Sequence, residues 1–128
     1  MLDLNPDIVR SIIDRAREFH GKEGVVIPEA ADNISDDWAL QVLSNHSGDL
    51  SFRELIGLIR DLEPDQQVQI VALMWLGRGD FEADEWEDAL EQARDNWNQR
   101  AAEYLMATPL VADYLEEGLS ILGYTNDG

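Results

Sequence analysis

Apolar residues recur every three or four positions along most of the chain, which is the period of a helix with one buried face. Leu4-Asn5-Pro6 opens the first such run, with Asn5 placed to cap and Pro6 suited to the first helical position. Ile8, Val9, Ile12, Ile13, Ala16 and Phe19 then share a face, and Gly21 ends the run. The segment "GKEGVVIPEAADN" breaks the period. Two glycines, a proline and the triplet Val25-Val26-Ile27 predict an extended connection over residues 21–34. No second strand exists for it to pair with, and an isolated strand is not stable.

A short helix is expected from Ser35-Asp36, with Trp38, Ala39, Val42 and Leu43 inward and an end between Asn45 and Gly48. Ser51 and Glu54 have the spacing of a capping box, with Leu50 and Leu55 as the staple around it. Leu55, Ile56, Leu58, Ile59 and Leu62 supply that helix with its apolar face, and Glu63-Pro64 starts the next. Val68 to Leu76 is apolar nearly all round, interrupted by Gln69, so it reads as the central and most buried element, ended by Gly77. The longest helix is expected from Ala83 to Met106, with Trp86, Ala89, Leu90, Ala93, Trp97, Ala101, Tyr104 and Leu105 along one stripe. Thr108-Pro109 repeats the cap-plus-proline start. Leu110, Val111, Tyr114, Leu115, Leu119 and Leu122 form the last face, closed by Gly123, with residues 124–128 as a frayed tail. These elements predict an all-α fold: one domain over 1–128, an irregular or orthogonal bundle of about six helices with one longer extended loop. The length of 128 residues fits that count.

Charge changes the picture more than composition does. Twenty-seven Asp and Glu against nine Lys and Arg give a net charge of −18, and residues 51–128 hold seventeen of those acids against five bases. Such a surface repels phosphate backbones and anionic membranes, so no direct nucleic-acid binding and no membrane attachment are expected. At 45% apolar residues the chain is no acidic disordered tail. It has no cysteine, which excludes disulfides and thiolate metal sites. Its N-terminus lacks the pattern of an export signal, and its longest apolar run, Ile70 to Leu76, has seven residues against about twenty for a membrane span. The expected location is the cytoplasm.

Candidate chemistry concentrates in "WLGRGDFEADEWEDAL", Trp75 to Leu90, whose second half imitates the exit of a calcium loop through Gly79, Phe81, Glu85 and Trp86. With Glu85 as the twelfth ligand, Met74, Leu76 and Arg78 fall at positions one, three and five, where a hard cation needs oxygen. The expectation is therefore a helix–turn–helix corner. Gly77 and Gly79 would permit left-handed backbone, Phe81 would pack down and Asp80 would cap the next helix. Arg78-Gly79-Asp80 also spells an adhesion tripeptide, a match that chance explains in a chain without an export signal. Arg78 is instead expected to neutralise nearby acids or to bind carbonyls at the helix end.

Asp80, Glu82, Asp84, Glu85, Glu87, Asp88 and Glu91 place seven acids in twelve residues with no base among them. Acids favour a helix N-terminus by about 0.3–1 kcal/mol each, whereas like charges four apart, as in Asp84–Asp88 and Glu87–Glu91, cost about 0.2–0.5 kcal/mol per pair. Three readings stay open: a solvated face, a docking face for a basic partner, and a weak divalent-cation site. His20 and His46 match no zinc or di-iron pattern; His20 suits a helix C-terminus, and His46 lies in a turn. No phosphate loop, G-x-S-x-G or dinucleotide fingerprint occurs. Trp38, Trp75, Trp86 and Trp97 read as core anchors.

"VALMWLGRGDFEADEWEDAL" and "TPLVADYLEEGL" together resemble a family of small bacterial proteins catalogued as a domain of unknown function. The resemblance is most specific from Val71 to Trp86 and includes the Pro109 to Leu119 segment. It implies a bacterial source and supplies no activity, cofactor or catalytic residue. The leading reading is a non-catalytic interaction or regulatory module that presents Arg78, Asp80, Glu82, Asp84, Glu87, Asp88 and Glu91 to a basic protein partner. No catalytic residue, cofactor or metal ligand is assigned. The alternative is a small-molecule or divalent-cation binding protein, an enzyme among the options, with its site near the 77–85 corner. A homodimer through exposed Trp and Leu surface is a third arrangement.

Overall fold

A computed structural model describes residues 4–20, 50–98, 101–106, 108 and 110–124. The connection expected over 21–34, the helix from Ser35 with Trp38, and the turn holding His46 lie outside the described residues, as do the side chain of His20 and residues 125–128. Six α-helices are described: α1 (Pro6–His20), α2 (Leu50–Arg60), α3 (Pro64–Arg78), α4 (Trp86–Asn96), α5 (Ala101–Met106) and α6 (Val111–Ile121), with a 3₁₀ turn at Ala83–Glu85 before α4. No strand occurs among the described residues. The all-α expectation holds.

Helix α3 is the centre. Every residue from Gln67 to Leu76 is buried, and α4, α5 and α6 all touch it, while α1 covers α6 and α2. The polar residue within Val68–Leu76 has a structural reason: Gln69 Oε1 accepts the backbone N–H of Leu4 at 2.9 Å, tying the start of the chain to the core. Two of the expected starts are present. Asn5 Oδ1 accepts the Asp7 N–H at 2.9 Å, and Pro64 opens α3 with Gln66 Oε1 accepting the Glu63 N–H at 3.0 Å.

Four expectations are corrected. Gly77 does not end α3. It stays inside the helix because α6 crosses there: a Cβ on Gly77 would lie 1.7 Å from the Tyr114 carbonyl oxygen, and one on Gly118 would lie 2.5 Å from that of Leu73. The left-handed stop is Gly79, at φ 96°. The long helix from Ala83 to Met106 is two helices. Trp97 is extended at ψ 139°, Asn96 Nδ2 donates to the Gln92 carbonyl at 2.8 Å, and Asn98 O accepts the Ala101 N–H at 3.2 Å. Asn-Trp-Asn is weak helix sequence whose side chains compete for backbone groups. The apolar stripe nevertheless remains buried across the break, through Ala93, Ala101, Tyr104 and Leu105. Ser51 lies inside α2, which begins at Leu50, and not before its start, and Glu54 pairs with Arg15 of α1 at 3.3 Å. Leu110 precedes α6 and is 52% exposed, so it is absent from the buried face assigned to it.

Candidate functional site

The corner between α3 and α4 is built on a polar network set into apolar packing. Trp75, in the last turns of α3, donates its indole N–H to the hydroxyl of Tyr104 on α5 at 2.8 Å. Phe81 stacks on Trp75 with ring centroids 6.2 Å apart, packing down as expected. Gly79 turns the chain so that Arg78 and Asp80 meet, with Nε to Oδ2 at 2.8 Å and a second contact at 2.7 Å. Arg78 therefore neutralises an acid, and Asp80 serves it in place of capping the next helix. That cap falls to Glu82, whose N–H donates to Glu85 Oε1 at 2.9 Å. Met74 and Leu76 are fully buried, so the first half of a calcium loop has no counterpart here.

Burial shifts two groups in this network. Desolvation is the largest influence on Arg78 and lowers its pKa; Asp80 and Tyr104 together outweigh it, leaving the guanidinium above its ordinary value. Desolvation also raises the Tyr104 hydroxyl above its ordinary 10.0, with Trp75 and Arg78 pulling the other way. The unfolded tyrosine thus loses its proton first as pH rises. The neutral buried form contributes stability that is complete below pH about 10 and falls as pH climbs toward the folded pKa. Melting temperatures above pH 10 are expected to fall more steeply for the wild type than for Tyr104→Phe. Parallel alkaline profiles would contradict this reading of Tyr104.

The acids stand on the outer side of the same corner. Trp86, Ala89 and Ala93 turn the inner face of α4 to the core. Asp84, Glu87, Asp88 and Glu91, spaced by three and four residues, are exposed on the other, together with Asp80, Glu82 and Glu85. Elsewhere among the described residues five acids are answered, Asp7 by Arg10, Glu54 by Arg15, Asp113 and Glu116 by Arg17, and Glu103 by Arg60, while Asp14, Glu18, Asp61, Glu63, Asp65, Asp95 and Glu117 stand at scattered positions without an ion pair. Among the described residues, Arg78 answers Asp80, whereas Glu82, Asp84, Glu85, Glu87, Asp88 and Glu91 form no ion pair. Glu82, Asp84 and Glu85 each bring a carboxylate oxygen within 4.8 Å of the other two, all exposed. Three oxygens are fewer than the six to eight calcium takes, so water would supply most of such a shell.

Trp75 and Trp86 are core anchors as expected; Trp97 is half-buried, its indole N–H donating to Gln67 Oε1 at 3.0 Å. The burial of three polar residues escaped the sequence reading. Thr108, expected to cap the last helix, is buried and instead donates its Oγ1 hydroxyl back to the Tyr104 carbonyl at 3.2 Å, while Leu110 stands at the start of α6. Gln67 lines the approach to Trp97. Glu103, the third, is buried. The signal for Glu103 was present: one acid in the otherwise apolar "AAEYLM" of α5, all of it buried.

The chain belongs to the family described as protein of unknown function (DUF3775), whose pattern matches residues 52–124, more than half of its length. The match runs from α2 past the end of α6 and contains the whole corner, while α1 lies outside it. No curated protein and no solved structure matches the chain. No helix among the described residues is long and apolar enough to cross a membrane.

Proposed function

We propose that the protein is a non-catalytic interaction module whose acidic corner, Glu82 to Glu91 with Asp80 held by Arg78, receives a basic protein partner. The observation that supports this is the density of unanswered charge: six exposed carboxylates fall within the ten residues from Glu82 to Glu91, and none of them is paired with an arginine among the described residues. A face of one sign steers an oppositely charged partner and disfavours wrong ones. Outward spacing of three and four along α4 suits a partner helix carrying Lys or Arg at the same spacing.

A Lys/Arg-rich helical peptide, titrated into isotopically labelled protein, is expected to shift the amide resonances of residues 80–91 above all others, and moderate salt should reverse the shifts. Shifts spread evenly over every acidic surface would overturn the assignment to this corner.

A second reading rests on the converging Glu82, Asp84 and Glu85 oxygens, which would hold a divalent cation weakly. Mg²⁺ or Ca²⁺ would then raise the melting temperature, and Glu85→Gln would remove the effect. No change on adding either ion would eliminate this reading.

A further inference from the structure

At the opposite end of α4 from the acidic corner lies a cleft of about 390 Å³, lined by Arg60, Leu62, Pro64, Gln67 and Trp97. Its size falls at the lower end of the range for small-molecule sites, roughly 300–1,000 Å³. The helix break at Trp97 brings the indole here, and Gln67 fixes it: Oε1 accepts the indole N–H at 3.0 Å while Nε2 donates to the Leu62 carbonyl at 3.0 Å. Both ends of the Gln67 amide are thus committed, so its orientation is set by its partners.

Arg60 forms one wall, half-exposed, with its NH2 group on Glu103 Oε1. The other Glu103 oxygen is buried and has no hydrogen-bond partner, so the pair is made through a single oxygen. A guanidinium carries five N–H donors in a planar fork, and this contact leaves an edge of Arg60 for a ligand.

Charge selects the class of ligand. Asp61, Glu63 and Asp65 are exposed beside the lining residues, and the whole chain carries −18, so an anion is repelled. An ammonium group offers no acceptor to the Arg60 donors, so a cation gains nothing from that wall. An uncharged carbonyl oxygen accepts from Arg60 and avoids the repulsion of an anion, and a flat ring lies against Trp97, Pro64 and Leu62. We propose that this cleft binds a small, flat, uncharged ring compound bearing a carbonyl or carboxamide, held by Arg60 and stacked on Trp97.

Three probes of one shape test it: nicotinamide, nicotinate and 3-(aminomethyl)pyridine, which are neutral, negative and positive at pH 7. Nicotinamide is expected to shift the Trp97 indole N–H resonance saturably at millimolar concentration and to raise the melting temperature. The two charged probes should bind roughly tenfold more weakly or worse. Trp97→Leu should abolish binding. Arg60→Lys keeps a cation over Glu103, and so keeps the fold, but loses the fork and should weaken binding several-fold. The proposal is overturned if nicotinamide produces no saturable shift of the Trp97 resonance in the wild type, or if all three probes bind alike. It is equally overturned if folded Trp97→Leu still binds nicotinamide.

Discussion

Gly77→Ala is expected to destabilise the protein by about 3 kcal/mol and to lower its melting temperature by on the order of 10 °C. The added Cβ would meet the Tyr114 carbonyl oxygen at 1.7 Å, its carbon at 2.6 Å and the Gly118 nitrogen at 2.9 Å. All three are backbone atoms of α6, and no side-chain rotation moves them aside. The two helices must separate, and Leu73, Leu76, Leu115 and Leu119, all buried on these two helices, would lose contact with one another. Gly57→Ala is the control, because nothing lies within 4 Å of its Cβ position. In a helix that exchange should stabilise by about 0.5–1 kcal/mol. Urea and thermal unfolding of both variants distinguish the outcomes. Equal and small effects would contradict the close crossing of α3 and α6.

Trp86→Ala is expected to cost about 3–5 kcal/mol. Trp86 is 2% exposed, and the only other fully buried residues of α4 are Ala89 and Ala93, so one ring supplies most of the area that holds this helix to α3. The acids beside it are different. Glu87 and Asp88 touch solvent and form no ion pair, and replacing either by its amide should change stability by no more than about 0.5 kcal/mol. Adjacent positions on one short helix are thus assigned to separate tasks, anchoring inward and presenting charge outward. Denaturation of Trp86→Ala beside Glu87→Gln measures the separation. Comparable losses from both would mean that the acidic residues carry structural duty.

Helix-forming patterns and special backbone positions were legible where their causes are local. Asn5-Pro6 and Pro64 start helices, Gly123 follows the last one with positive φ, and the apolar run of α3 is the buried centre. The exposure of the acidic face was legible for the same reason, since Trp86, Ala89 and Ala93 fix which side of α4 points inward. What escaped depends on residues far apart in sequence. Gly77 reads as a helix stop, and Gly118 announces nothing, until the two backbones are seen to touch. The apolar stripe passes through Trp97 without interruption, because periodicity reports which side is buried and not whether one rod or two bury it. Arg60 and Glu103 find each other across α2 and α5, a contact no local spacing announces. The pairing of Arg78 with Asp80, two residues apart, needed only the left-handed Gly79 between them.

The central claim is that the unanswered carboxylates of one corner recognise a basic partner. Its most direct measurement is affinity capture from the native cell lysate with paired baits, the wild type and a variant reversed in charge at Asp84, Glu87, Asp88 and Glu91. Circular dichroism would first establish that both are equally folded. The account predicts a protein of basic character retained by the wild type alone and released by moderate salt. Identical retention by both baits, or retention by neither, would contradict it and reduce the acidic corner to solvated surface.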